Sequence, residues 1–427
     1  MLFVGVALLV IGHQLWLWVR GWRFNVLSPY FLCDLMIFAL LGLGSFAAPL
    51  PHQSRMEELL FCLYIWSGLI AYYIGLHLRL RFPSLRLPSL ALSLARLQRY
   101  PGILASILVG GFLLIIALTI LQRLRGLGLS LHEMLALSVV YRHAQVAAEG
   151  LGALPVIMMY LFNLILLMYI YTLLQQHRFL TAFIIYFVIN LSILLITSTR
   201  IPILMNLAIP IAYYHYAIRR INMLLLLLIL VGAPLALTFL HGWRGGNPFA
   251  WTVSDRLAEE AQVLHSFYHL WQRYLEGEIV LEYGANYYYY SLLALIPRDL
   301  WQAKPQTSFE TRWTIHLFGS LVQDGYIAVH TFTPWGEGLV QFGWLGGVIN
   351  LFFYGIILNF AINFFSKRPH ACLVYFFFTV LASTFIRTSV QALLFTTFIY
   401  VVGVWFYERW FLRPVGLRRE LQLCASS

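Results

Sequence analysis

YYYYSLLALIPRDLWQAKPQTSFETRWTIHLFGSLVQDGYIAVHTFTPWGEGLVQFGWLGG, residues 287–347, closes the only long polar stretch of an otherwise apolar chain. It holds Arg298, Asp299, Lys304, Glu310, Arg312, His316, Asp324, His330 and Glu337, with Trp301, Trp313 and Trp335 between them. What surrounds it decides the fold class. Of 427 residues, 61% are hydrophobic and only 11% charged, with a mean hydropathy of +0.78. A soluble globular domain carries about 25% charged residues. The composition therefore describes an all-α polytopic membrane protein.

A helix needs about 20 mostly apolar residues to cross the hydrocarbon core. Eleven runs qualify: 2–19, 30–48, 57–76, 102–121, 153–174, 179–197, 202–218, 222–240, 338–363, 370–386 and 389–408. Arginine and lysine collect on the cytoplasmic side of such helices. The segments 20–29, 77–101, 219–221 and 366–369, the turn at Arg178 and the tail beyond Arg409 are basic. Eleven spans put all six on one side, so the N-terminus is expected outside and the C-terminus inside. Ten of the seventeen Asp and Glu residues lie in 241–337, which is then a large outer loop. Three regions follow: a transmembrane bundle over 1–240, the loop over 241–337, and transmembrane helices with a basic tail over 338–427. Within the loop, the apolar spacing of Leu257, Ala261, Leu264, Phe267, Leu270, Trp271 and Tyr274 predicts an amphipathic helix over 254–278, lying on the membrane or against the bundle.

The net charge of +11 does not mark a nucleic-acid binder, because the basic residues sit at the ends of apolar runs rather than on one polar face. The four cysteines have no CxxC spacing and none lies in the loop, which argues against a disulfide framework or a thiolate metal site. The first apolar run lacks a basic leader and reads as a retained helix. His265 and His269 are spaced i, i+4, but no further metal motif accompanies them, and no metal or cofactor is expected.

Arg200, in NLSILLITSTRIPILMN, and Arg387, in LASTFIRTSVQALLF, are charges between apolar runs on the expected outer side. Such charges are costly and commonly face a polar cavity or ligand. A guanidinium stays charged, and its planar fork suits phosphate oxygens, so converging arginines fit a lipid-linked pyrophosphate. The plain alternative is snorkelling to lipid headgroups. Arg298 and Lys304, in IPRDLWQAKP, either extend such a site or pair with Asp299 and Glu310 at the surface. Arg312 is a further cation on the same loop. Glu337, between Gly336 and Gly338 where the chain re-enters the membrane, is a candidate general base toward a sugar hydroxyl. Its alternative is an acid favoured by a helix N-terminus. His316 and His330 are rival bases. Trp301, Trp313, Trp335 and the run Tyr287–Tyr290, Tyr288 among them, offer flat faces for carbohydrate; they also match an interfacial aromatic belt, which needs no ligand.

An arginine in TSTRIPILMN, then two apolar spans, one long loop ending in LIPRDLWQAKP and TPWGEGLVQFGWLGG, and an arginine in FIRTSV resemble the oligosaccharide repeat-unit polymerases of the Wzy type, which build O-antigen, enterobacterial common antigen and related polysaccharides. The resemblance covers roughly residues 180–410 and carries over Arg200, Arg298, Lys304, Pro305, Glu337, Gly343 and Arg387. It implies a GT-C-like glycosyltransferase of about 11 helices in the bacterial inner membrane, with its active site facing the periplasm. Its substrate would be glycan on undecaprenyl pyrophosphate, with no nucleotide sugar. A chain-length regulator and a flippase would be the protein partners. The family's Trp-Pro step before the basic residue is Trp301-Gln302-Ala303 here. In this reading Arg200, Arg298 and Arg387 neutralise the leaving pyrophosphate, Glu337 serves the acceptor hydroxyl, and the loop aromatics hold sugars. The rivals are a ligase that moves glycan to a lipid acceptor and a flippase of lipid-linked sugars; the sequence has no inverted repeat of the transporter kind.

Overall fold

The computed structural model describes residues 1–21, 28–47, 54–78, 154–175, 177–197, 253–294, 300–319, 330–368, 371–387 and 389–411, with a few isolated positions between them. The runs expected at 102–121, 202–218 and 222–240 lie almost wholly outside the described residues, as do Arg200 and Arg298.

The described chain is helical. Helix α1 spans Leu2–Val19, and α2 spans Pro29–Ile37 before loosening into a π turn at Phe38–Leu43 and a last short turn at Gly44–Ala47. Helix α3 is Arg55–His77, α4 Leu154–Gln175 and α5 Phe179–Thr197. The amphipathic α6 runs Val253–Leu275, close to the expected 254–278. After a turn at Asn286–Ala294 come α7, Phe309–Phe318, and two paired two-residue strands, β1 (Val322–Gln323) and β2 (Tyr326–Ile327). The chain ends in α8 (Thr333–Phe342), α9 (Gly346–Ser366), α10 (Cys372–Phe385) and α11 (Val390–Phe411).

Local chemistry sets several of these starts. Ser28 accepts the Phe31 N–H at 3.1 Å with Pro29 at the first helical position. Ser54 accepts the Glu57 N–H at 3.1 Å, with Glu57 and Glu58 in the first turn where the dipole favours them. Pro334 opens α8, so the helix begins at Thr333 and not at the expected 338. The region boundary drawn at 337/338 therefore falls inside a helix.

Three described helices are long and apolar enough to cross a membrane: Leu2–Val19, Arg55–His77 and the bent pair Thr333–Ser366. The other apolar helices are shorter where described. The outward faces of α1 and α5 are apolar, with Leu8 66% and Leu180 73% exposed. Contiguous apolar surface of that kind belongs against lipid rather than water.

Helices α3 and α9 pack closely against each other. Gly75 and Gly355 let the two backbones meet, since a Cβ at Gly355 would collide with the Tyr72 carbonyl oxygen and one at Gly75 with that of Phe352. Small residues serve this purpose at helix contacts in membranes, where lipid offers no hydrophobic drive for association. One turn of α8 is tied to the same seam: Tyr64 OH donates to the Trp335 carbonyl (2.8 Å), and the Trp335 indole N–H donates to Ile65 O (3.1 Å). Helix α6 lies against the bundle, its Phe267 and Trp271 packed on Phe61 and Tyr64.

Candidate functional site

Glu337 is completely buried on α8. Its Oε1 accepts from the Asn286 side-chain amide, and its Oε2 accepts the Val390 N–H at 2.5 Å. Val390 is the first residue of α11, so the carboxylate sits on a helix N-terminus, where peptide dipoles favour an anion. Arg387 lies three residues upstream and is half-buried. Glu310, on the first turn of α7, reaches Ser389 and stands close enough for the two carboxylates to repel.

The network extends through the loop. The Gln341 side chain accepts the Asn286 N–H (3.4 Å) and donates to Glu282 (2.6 Å), while Glu282 N and Tyr283 N donate to the backbone of Val340 and Gln341. Tyr287 OH donates to Asn350 Oδ1 (2.5 Å), whose amide donates to Pro334 O (3.1 Å). Gln391 donates to Ser291 Oγ at 2.9 Å. Loop turn, α8, α9 and α11 are thus pinned to one another by side chains that satisfy each other. A buried polar cluster of this kind is stiff when complete and costly when one member is lost.

Arg312 is part of this frame. Its guanidinium contacts both oxygens of Glu282 at 3.0 and 3.1 Å, reaches Asn286 Oδ1 at 3.4 Å and lies 3.5 Å over the Tyr290 ring. Trp313 Nε1–H also donates to Glu282, at 3.3 Å. The charge of Arg312 is therefore already answered within the loop. Lys304 is buried as well, its Nζ donating to Ile296 O at 2.8 Å.

The other expected residues are spread more widely. His316 is exposed beside Trp313. His330 bonds Ser266 at 2.8 Å through Nδ1 and stacks on Phe318; burial, with His269 nearby, lowers its proton affinity. Burial likewise pushes the Glu310 carboxyl up from the ordinary range, against the pull of its own backbone N–H, Ser308, Ser389 and Arg312. Trp301 and Tyr288 keep exposed ring surface, 39% and 60%. Trp335 does not: it is enclosed, with its ring edge where a Cβ on Gly68 would stand. Glu337 in this arrangement likewise presents no oxygen to solvent.

The structure therefore gathers Glu337, Arg312 and the Arg387 turn, leaves His316, Trp301 and Tyr288 at the surface, adds Glu282, Asn286 and Gln341, which the sequence did not single out, and brings in Glu310, which the sequence suggested as a surface partner of Arg298 and Lys304. Among the described residues no group of three or more His, Cys, Asp and Glu is placed to hold a metal ion. No family model matches the chain, and no curated protein and no solved structure matches it either.

Proposed function

We propose that the chain is a GT-C-like polysaccharide polymerase of the bacterial inner membrane. It would transfer glycan from undecaprenyl pyrophosphate to the non-reducing-end sugar of a second lipid-linked repeat unit, at the periplasmic face. The observation that carries this reading is the bond from Val390 N to Glu337, which joins the TPWGEG and FIRTSV stretches through a buried carboxylate. Those are two of the stretches on which the resemblance to repeat-unit polymerases rests.

In the transfer, the acceptor hydroxyl oxygen attacks the anomeric carbon of the donor. The bond from that carbon to pyrophosphate breaks, and its electron pair leaves on the pyrophosphate. Arg387, with Arg200 and Arg298, neutralises that charge, which is where fixed cations stabilise a transition state most. Glu337, enclosed and doubly bonded, holds the start of α11 and so aims Arg387; it acts as a positioning residue. The acceptor's proton leaves to a neutral imidazole, for which His316 and His330 are the loop's candidates, and burial keeps His330 in that neutral form. The exposed Trp301 and Tyr288 supply stacking faces for sugar rings.

The test uses the full chain in proteoliposomes with undecaprenyl-pyrophosphate-linked repeat units. A ladder of lengthening glycans is expected from the wild type and none from Arg200→Ala or Arg387→Ala, with all three inserted equally. Single transfer to an added lipid acceptor, without a ladder, would make the protein a ligase. Movement of intact lipid-linked glycan with no new bond would make it a flippase. Wild-type ladders from both variants would overturn the arginine assignment.

A further inference from the structure

A second buried polar cluster lies at the end of the bundle where α1, α2 and α3 meet, apart from Glu337. His13 on α1 is 7% exposed and Asp34 on α2 is 2% exposed. His13 Nδ1 stands 2.6 Å from Asp34 Oδ2, and His13 Nε2 stands 2.8 Å from His77 Nε2 on α3. Asp34 also accepts from the Gln14 amide (2.5 Å) and from Tyr73 OH (3.1 Å). The rings are packed in place: His13 stacks on Tyr73 at 4.2 Å, and His77 lies between Trp16, tilted against it at 4.5 Å, and Tyr30, stacked at 5.5 Å. Ionisable side chains inside a membrane bundle are rare and costly, and a chain of three has a purpose that apolar packing does not supply.

We propose that His77, His13 and Asp34 form a site that binds one proton, entering at the Nδ1 of His77 and settling as charge on His13 beside Asp34. The geometry fixes the bookkeeping. An ionised Asp34 only accepts, so His13 carries a hydrogen on Nδ1 and, when neutral, a lone pair on Nε2. His77 then donates its Nε2–H across the 2.8 Å gap, and the site as a whole carries one negative charge. A proton taken up on Nδ1 of His77, the only partly exposed member of the three, makes that ring an imidazolium. The hydrogen between the rings can then pass to Nε2 of His13. One proton enters, none leaves, and the result is an imidazolium–carboxylate pair with no net charge. A second proton is opposed, because both facing nitrogens would then carry hydrogens with no acceptor between them.

The remaining titratable groups around the site are compatible with this assignment. From α1, Arg20 lies 4.6 Å over Trp16, the ring that packs on His77, and its positive charge favours the proton's settling on the farther His13. From α2 and α3, Tyr30, Tyr73 and the Cys33–Tyr72 pair close the sides, and Tyr354 of α9 lies behind Tyr72. None of these tyrosines or the thiol brings a second carboxylate to compete with Asp34.

The proposal is independent of the polymerase reading, and so is its test. The full chain, labelled with 15N-histidine and held in lipid nanodiscs, is followed by NMR between about pH 5 and 8. His13→Gln and His77→Gln variants assign the two rings. The wild type is expected to show a nitrogen–nitrogen coupling across the His13–His77 hydrogen bond and uptake of one proton by the pair. Asp34→Asn is expected to move that uptake about 1–3 pH units lower, because the anion that favours it is gone. Two independently titrating rings, two protons taken up, or no coupling in the wild type would overturn the proposal. The coupling is read without any variant, so it decides the matter even where Asp34→Asn fails to fold.

Discussion

The α3–α9 seam and the Glu337 network share the chain around residues 335–355 and are both largely buried, yet they are held by opposite means. The seam is backbone against backbone, closed because Gly75 and Gly355 have no side chain to intrude. The network is side chain against side chain, and most of its members are neutral amides and a ring hydroxyl whose hydrogen bonds do not depend on charge. A seam tolerates no added atoms but is indifferent to polarity. A network tolerates no lost partner but can accept an isostere. The distinction predicts which substitutions the protein withstands.

The largest effect is expected at the seam. Gly355→Leu would drive a branched side chain into the Tyr72 carbonyl and should cost more than about 3 kcal/mol, beyond ordinary overpacking, so that little monodisperse protein is recovered. Gly12→Leu on α1, where an added Cβ meets nothing within 4 Å, should leave the melting temperature unchanged. Equal recovery of the two variants would show that the seam does not hold the helices together.

Next is the network's centre. Glu337→Ala leaves the Asn286 amide and the Val390 N–H buried without acceptors, at about 1–3 kcal/mol for each. Glu337→Gln should cost less, because its carbonyl can still accept from Val390. Its amide would face that of Asn286, which must then turn over and surrender its contact to Arg312. Thermal unfolding that ranks the alanine variant above the glutamine variant would break the comparison. Arg312→Lys should cost about 0.5–2 kcal/mol, since an ammonium cannot at once contact Glu282, reach Thr307 O and lie flat over the Tyr290 ring. Stability equal to wild type in that variant would show the stack to be incidental.

The same contrast explains what the sequence discloses. Apolar runs announce themselves by length, so α1, α3, α4 and α5 stand close to where hydropathy put them. The amphipathic α6 shows through its spacing, and its docking against Phe61 and Tyr64 follows from the aromatic stripe it carries. Glu337 is visible because a lone carboxylate stands in an apolar stretch. Its partners are not: Asn286 and Gln341 are uncharged, lie 51 and 55 residues from their partners Glu337 and Asn286, and carry no spacing signal. Trp335 reads as a loop aromatic because its burial depends on the absence of a side chain at Gly68, far away in sequence. In the sequence the start of α8 is misplaced at 338, although Pro334 is at home in a helix's first turn and belongs with the helix rather than the loop. His13 is hidden in an apolar run, and only the meeting of three helices gives it Asp34 and His77.

The smallest effect expected is one of sign, at Glu310. Its carboxyl is pushed up from the ordinary carboxylate range chiefly by burial. A group whose proton affinity is higher in the folded chain than in the unfolded one contributes stability in its protonated form. That contribution is complete below the unfolded value, near pH 4, and is lost as pH rises through the folded value. Glu310→Gln keeps the protonated shape at every pH. The variant should therefore match the wild type in acid and melt at a higher temperature than the wild type at neutral pH, with the gap opening as pH rises. A variant that is less stable than the wild type at neutral pH would mean that Ser308, Ser389, Arg312 and the N-terminus of α11 outweigh the cost of burying the charge. Glu310 would then belong with Glu337, as a second anion that the network is built to hold.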